Sequence, residues 1–566
     1  KNTNLLGTFY IFIFLSFIST FLEILSIGSI LPLLKVIVDE NFFDKYPYFQ
    51  NLVNLLSPLQ FFKISSSIHT NSIAGLSVFI LLVFFIRFIF QVFIEYKKAD
   101  FIHNLEFLLS NKLYNNLMNS NFIFHLNENS SNFHRDIQND IGYFSATANA
   151  ITSLIIESLI LIGLLILIIT TQFSSTLSAL LFMGIFGLLF LKITNNFNIK
   201  LGNNVHIASK ERFKSLIEGF AGIKDIIVFN KVSLFIKSFE KANKKLINAK
   251  KYHTIVSSLP RILIEILLIC TFVAIIFVFL SNNLSIEQSL PTLGFFAAAS
   301  FRLAPSIYRI LNSIQRIKFT KKPIENLYSQ LRNLSKKERS SKNDLSNISF
   351  KNDLQINNLS FYYSDNKNIL DKLNLRIKKG DAIGIYGESG SGKSTLINIL
   401  AGLIKPQQGE ILSDSKNIFL NISSWREKIG YVPQSIFLMD DTLLKNITFG
   451  SNEEEVDIKK FKKCILDAEL EKFVEELNNK EQTHLGEAGS KISGGQLQRI
   501  GIARALYNDP EILIFDESTS SLDLETEREI IKNIYKFKNL KTLIIISHKV
   551  DLLKGCNKIY KLENRK

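Results

Sequence analysis

The stretch Gly387–Thr395 reads GESGSGKST. It fits the pattern G-x-x-x-x-G-K-[ST], in which the backbone N–H groups of a glycine-rich turn surround phosphate oxygens. The run before it, Ala382-Ile383-Gly384-Ile385-Tyr386, is apolar and strand-like. The run after it, Thr395-Leu396-Ile397-Asn398-Ile399-Leu400, is helix-like. Strand, loop and helix in that order suit a phosphate, because the start of the helix adds positive potential. Gly387, Gly390 and Gly392 let the chain turn inward, with Glu388, Ser389 and Ser391 between them. Lys393 is expected to reach the β- and γ-phosphates, and Ser394 to offer its hydroxyl to Mg2+, with Thr395 completing the motif. The expected cofactors are ATP and Mg2+.

Further on comes Glu511-Ile512-Leu513-Ile514-Phe515-Asp516-Glu517, an apolar strand that ends in two carboxylates. Asp516 is expected to hold Mg2+ and Glu517 to polarise the water that attacks the γ-phosphate. An isolated Asp-Glu pair is often only an acidic turn; in company with a phosphate loop it reads as a hydrolytic centre.

Between the two lies Ile492-Ser493-Gly494-Gly495-Gln496-Leu497-Gln498-Arg499. With it, residues 350–566 resemble the ABC transporter ATPases, whose signature usually carries leucine where this chain has Ile492. The resemblance rests on motifs in one order: the phosphate loop, Gln434 in Tyr431-Val432-Pro433-Gln434, Ser493-Gly494-Gly495-Gln496, Asp516-Glu517, and His548 in Ile546-Ser547-His548. It implies that Tyr363 stacks on adenine, with Tyr362 the weaker candidate. It also implies that Gln434 joins Ser394 and Asp516 at the metal, and that His548 contacts the γ-phosphate. Asp523, in Ser521-Leu522-Asp523, matches a loop that crosses the dimer interface. Two such domains would meet head to tail, each ATP held by the phosphate loop of one copy and by Ser493, Gly494 and Gly495 of the other.

The chain is basic, with a formal net charge of +15, which invites a nucleic-acid reading. No nucleic-acid module or arginine-rich patch accompanies the charge, so nucleic acid is not an expected partner. Mean hydropathy is positive at +0.17, averaging an ordinary soluble C-terminal part with a far more apolar N-terminal part. Cys270, Cys464 and Cys556 lack metal or disulfide spacing and are expected to be free thiols. No cleavable signal peptide is expected.

Six apolar stretches approach or exceed the roughly 20 residues a membrane span needs: 8–36, 73–96, 145–170, 174–195, 258–281 and 289–312. Residues 39–70 separate the first two and hold an aromatic stretch, Tyr46 to Phe62, that suits either an interfacial amphipathic helix or an outer loop. Residues 196–258 hold 12 Lys/Arg against 4 Asp/Glu, which places the two long loops on the cytoplasmic side. The expected organisation is a transmembrane domain over 1–317, a Lys/Ser/Asn-rich linker over 318–348 and an ATP-binding domain over 349–566. The fold class is thus an α-helical six-span membrane domain fused to an α/β phosphate-loop NTPase. This arrangement resembles an ABC exporter half-transporter and implies a homodimer. In such exporters cytoplasmic turns dock on the ATPase; the candidates here are 124–138 and 212–228, the latter holding the break Ala221-Gly222-Ile223-Lys224-Asp225.

Arg87, Arg302 and Arg309 fall inside apolar spans and Arg261 at the start of one, with Glu23, Glu157 and Glu265 as acidic counterparts. A charge in hydrocarbon costs about 2.5–3.5 kcal/mol on insertion scales. The arginines therefore pair with the glutamates or snorkel to the interface, or else they line a cavity for an anionic substrate. Arg302 is the favoured cavity residue and Arg261 the favoured snorkeller. The stretches Phe21-Leu22-Glu23, Ser258-Leu259-Pro260-Arg261 and Phe301 to Arg309 resemble PglK-type flippases of lipid-linked oligosaccharides. That resemblance implies an ATPase that moves a polyprenyl-pyrophosphate glycan across a bacterial inner membrane, the arginines receiving the pyrophosphate. The alternative is an exporter of a hydrophobic drug, peptide or other lipid.

Overall fold

The computed structural model describes residues 4–38, 68–171, 173–281, 286–338, 347–363, 369–451, 453–486, 492–517 and 524–563. The aromatic stretch Tyr46 to Phe62 lies outside the described residues. The chain divides into two compact units: Lys1–Ser120 with Asn127–Glu338, and Asn121–Leu126 with Arg339–Lys566.

The first unit is helical. Its elements are α1 (Asn4–Gly28), α2 (Ile30–Val38), α3 (Ile68–Met118), α5 (Ser130–Arg135), α6 (Ile141–Thr171), α7 (Phe173–Ala221), α8 (Ile223–Val228), α9 (Val232–Ser281), α10 (Ile286–Phe319) and α11 (Lys321–Glu338); α4 (Phe122–Asn127) falls between α3 and α5 in the chain. Four described stretches are long and apolar enough to cross a membrane: Gly7–Val38, Ile73–Met118, Asn132–Thr170 and Val232–Ala274. The expected fourth and sixth spans fall within α7 and α10, helices of 49 and 34 residues. The first span is broken at Ser29 between α1 and α2. Pro32 accounts for the break, since it has no N–H for the carbonyl of Gly28 and its ring crowds that carbonyl.

The apolar core of this unit gathers Phe12, Ile94, Ile160, Leu164 and Phe295 from α1, α3, α6 and α10. Its outer residues stay apolar: Leu81, Phe88, Leu188 and Ile193 are all exposed. That inversion suits helices whose solvent is lipid. Where α7 crosses α10, a Cβ on Gly202 would stand 1.9 Å from the Phe319 carbonyl oxygen, so only glycine permits the approach.

The stretch expected as linker, 318–348, is largely helical: α10 runs to Phe319 and α11 covers Lys321–Glu338, within the first unit. Its polar composition conceals a helical stripe. Ile324, Leu327 and Leu331 recur at three and four residues, and Leu327 is buried. The break foreseen at Gly222 is present, separating α7 from α8.

In the second unit, β6 (Ile429–Val432), β7 (Ile512–Asp516), β8 (Thr542–Ile546), β3 (Ala382–Gly387) and β9 (Lys558–Leu562) form a sheet in that order. Every pairing in it is parallel. The antiparallel sheet β2-β1-β4-β5 comprises β1 (Asp353–Phe361), β2 (Leu370–Lys378), β4 (Gln408–Ser413) and β5 (Lys416–Asn417). The central strands β3, β7 and β8 are apolar on both faces, as buried parallel strands must be. Ile512 and Ile514 enter one core while Leu513 and Phe515 enter the other. Because β3, β7 and β8 run parallel, their C-terminal ends deliver the phosphate loop, Asp516-Glu517 and Ser547-His548 to one edge.

Candidate nucleotide site and buried charge cluster

The phosphate loop leaves β3 and enters α12 (Lys393–Leu400) through Gly392, whose φ of 91° lies in the left-handed region. A Cβ at Gly392 would also stand 3.0 Å from Ile369 Cγ2, so conformation and space both demand glycine. Lys393 is buried, and its Nζ donates to the carbonyls of Gly387 and Glu388, each at 2.9 Å. Ser391 is buried, and its Oγ has no hydrogen-bond partner. An orphaned hydroxyl inside a ring of turn N–H groups fits a bound phosphate, which would supply the missing acceptor. Ser394 and Thr395 form the first turn of α12, with Ser394 exposed and Thr395 buried.

Glu517 is the meeting point. Its Oε1 lies 2.7 Å from His548 Nε2 and 3.8 Å from Lys393 Nζ, and its Oε2 accepts from Gln434 Nε2 at 3.4 Å. Its φ is +46°, a left-handed backbone costly for a glutamate. The N–H of Glu517 donates to the Ile546 carbonyl at 3.1 Å, tying the turn to β8. The carboxylate is thereby turned toward the loop instead of continuing the strand.

Asp516 Oδ2 accepts from the Tyr431 hydroxyl at 3.1 Å. Burial raises the Asp516 pKa, the Tyr431 hydrogen bond lowers it and the Glu517 charge raises it, for a net rise. Burial and then Asp516 also raise the Tyr431 hydroxyl. Tyr431 had no role in the sequence reading. Its position was nonetheless implicit in the strand register, which pairs Tyr431 with Ile514, two residues before Asp516. Exposed Ser394, the Asp516 carboxylate and exposed Gln434 are hard oxygen donors of the kind Mg2+ takes.

Tyr363 is exposed and lies perpendicular to the Phe361 ring, their centroids 4.9 Å apart. Tyr362 is tied through its backbone to the Gln407 side chain. Ser493 caps α13 (Gly494–Tyr507): its Oγ accepts from the Gln496 N–H, and the Gln496 side chain accepts from the Ser493 N–H. Among the described residues these hydrogen bonds are spent on each other, and none reaches the Lys393–Glu517 cluster. Ser493 to Gln496 thus form a capped helix N-terminus. Asp523 lies outside the described residues.

In the first unit the arginines divide. Glu23 is fully buried; it meets Arg87 Nη2 at 2.6 Å and also Arg302. Glu157 meets Arg309 Nε at 2.5 Å and Arg302 Nη1 at 3.7 Å, and accepts from Ser306 Oγ at 2.7 Å. Among the described residues three arginines thus share two carboxylates, leaving one positive charge over. Arg302, expected to face an open cavity, is largely buried as the bridge between Glu23 and Glu157. Arg261 stands apart: it is 73% exposed and pairs one turn along α9 with Glu265.

A model of the ABC transporter transmembrane region matches residues 9–303, and one of the ABC transporter proper matches residues 370–520. The alpha-hemolysin translocation ATP-binding protein HlyB of Escherichia coli O157:H7 is 42% identical over 214 residues, 38% of this chain and 30% of that protein. The ATP-dependent lipid A-core flippase of Ralstonia nicotianae is 35% identical over 215 residues, 38% of this chain and 36% of that protein. The chain thus spans about a third of the length of these curated relatives. The solved structure of a bacterial Atm1-family ABC exporter with ATP bound superposes with a TM-score of 0.73 at 18% identity, covering 97% of this chain and 94% of that one. At that identity the likeness concerns the fold.

Proposed function

The chain belongs to the ABC transporters, and from that premise we propose that it hydrolyses ATP to flip a lipid-linked oligosaccharide across the bacterial cytoplasmic membrane, its ATPase unit in the cytoplasm. The observation that carries the substrate class is the arginine cluster. Three guanidinium groups set among apolar helices keep one positive charge after Glu23 and Glu157 are satisfied. A polyprenyl pyrophosphate presents the complementary anion, and guanidinium grips phosphate oxygens two at a time.

On the ATPase side Lys393 and the loop N–H groups hold the β- and γ-phosphates. Glu517 accepts a proton from the attacking water, and His548, 2.7 Å from it, orients the carboxylate. Ser394, Asp516 and Gln434 would hold Mg2+, which neutralises charge on the phosphates when bound. Exposed Tyr363 would stack on adenine.

Two further features support a homodimer. The side-chain bonds of Ser493 are spent on capping its own helix, which supports the reading that the signature serves the ATP of a second copy. Two turns also contrast: Phe122 and Ile123 pack on the core of the second unit, while Phe220, Ile227, Val228 and Phe229 around α8 are exposed. A second copy's ATPase unit would cover that apolar tip.

A second reading, export of a hydrophobic drug, peptide or other lipid, is favoured by the relatives, since one is named for a hemolysin and another for lipid A-core. ATP-dependent translocation in proteoliposomes distinguishes the two. Undecaprenyl-pyrophosphate glycan is expected to move, and Arg87→Ala or Arg302→Ala to slow that movement while hydrolysis persists. Equal movement of a neutral glycolipid, or variants that flip normally, would favour the second reading.

A further inference from the structure

The chain passes between its two units after Ser120, after Leu126 and after Glu338. The elements beside the last two crossings are α4 with α5, and α11. Within the first unit these flanking segments meet at one buried polar knot. Asp136 is fully buried and accepts from Arg135 Nε at 2.9 Å, from Asn326 Nδ2 at 3.4 Å and from Gln330 Nε2. Asp140, also fully buried, accepts from the same Asn326 amide at 2.9 Å, and His206 Nδ1 stands 3.7 Å away. Two turns along α6, Thr147 meets Thr320 at 2.6 Å, just before α11 begins. Arg135 at the end of α5 and Asn326 and Gln330 of α11 are therefore tied through Asp136 and Asp140, with His206 of α7 close by and a separate hydroxyl bond joining α6 to Thr320.

Two features set this knot apart from ordinary packing. First, Asp136–Asp140 is a π-helical turn, in which the Ile141 N–H donates to the Asp136 carbonyl. Such turns are rare and concentrate at functional positions. Second, removing two carboxylates and a guanidinium from water is no route to stability, since apolar residues of like volume generally serve as well. What directional hydrogen bonds add is a single fixed geometry between segments.

We propose that Asp136 is the positioning residue through which ATP-driven motion enters the helical unit: it locks the exit of α5 to α11, so that segments leading from the ATPase unit move as one lever. Asn326 and Gln330 complete the lock and Asp140 supports it. None of these residues touches the nucleotide cluster or the arginine cluster. The inference rests on the ATP-driven transport reading, not on the identity of the cargo.

The test uses the full chain with Cys270, Cys464 and Cys556 replaced by alanine. Spin labels go on exposed positions of α3 and α7, at Leu81 and Leu188. ATP with vanadate is expected to shift the distance between them. In Asp136→Asn, Asn326→Leu and Gln330→Leu, hydrolysis should stay within about twofold. The ratio of shifted to unshifted populations should fall roughly 2- to 30-fold. If Asp136→Asn fails to fold, the two α11 variants carry the test, because Asn326 and Gln330 are only half-buried. A shift of equal size in every variant overturns the inference. So does a fall in shift that merely parallels lost hydrolysis and a lowered melting temperature. Absence of any shift in the parent chain overturns the transport reading and this inference with it.

Discussion

The two charge clusters of this chain are built in opposite ways. Around Glu517 the charges stand at the open edge of a parallel sheet, aimed by backbone: a left-handed turn at Glu517, two carbonyls holding Lys393, and a half-exposed His548. Around Glu23 and Glu157 the charges aim at one another among apolar helices and leave one positive charge in surplus. The difference is a lesson about dielectric. At the sheet edge, water and nucleotide can compensate each group, so geometry is chosen for chemistry. Inside helices that face lipid, each charge must bring its own counter-charge.

The comparison can be broken most decisively at Glu517. Glu517→Gln should lower phosphate release by about 10^2–10^4-fold while ATP remains bound, because only the proton acceptor is lost. Normal turnover in that variant would remove the hydrolytic reading of the first cluster. The opposite signature is expected of the second. Arg302→Ala leaves Glu23 with Arg87 and Glu157 with Arg309 but removes the bridge between them, and the lost charge-assisted hydrogen bonds should cost about 1–3 kcal/mol of stability, read by thermal unfolding, with ATP affinity unchanged. A variant as stable as the parent would mean the cluster is not held by its own ion pairs.

Acidity sharpens the contrast at Asp516. Its raised pKa means the folded chain holds a proton there more firmly than the unfolded chain does. The stability Asp516 contributes is therefore present at low pH and lost as pH rises through the folded-state value. Mg2+ requires the ionised carboxylate, so Mg2+-dependent ATP affinity should weaken as pH falls toward that value. In Tyr431→Phe the weakening should begin about one pH unit higher, because a hydrogen bond that favours the charged form is gone. A titration of ATP affinity against pH in the two proteins measures it. The smallest effect is expected at Arg261→Ala. Its pair with Glu265 is exposed along one helix, and stability should change by less than about 0.5 kcal/mol. A loss comparable to that of Arg302→Ala would place Arg261 in the cluster after all.

Much of the ATPase unit was legible in advance because its requirements are local. A turn that wraps phosphate needs glycines at set spacing, and a parallel strand buried on both faces must be apolar throughout. The loop, the Asp516-Glu517 strand end and the break at Gly222 could all be read for that reason. Tyr431 was missed because its partner lies 85 residues away and the two are joined only by strand register. The stretch 318–348 reads as linker because lysine, serine and asparagine are frequent in it, whereas Ile324, Leu327 and Leu331 on one stripe are enough to dock a helix.

By itself the amino-acid order determined which chemistry is present: a phosphate-loop half, an apolar helical half, and arginines where hydrocarbon should have excluded them. Tertiary structure alone decided what those arginines meet. The bond from Arg302 to Glu23 spans 279 residues, and its sense is set by which faces of four packed helices turn inward. Backbone conformation answers to near neighbours, while the neutralisation of a buried charge depends on whichever distant helix is folded against it.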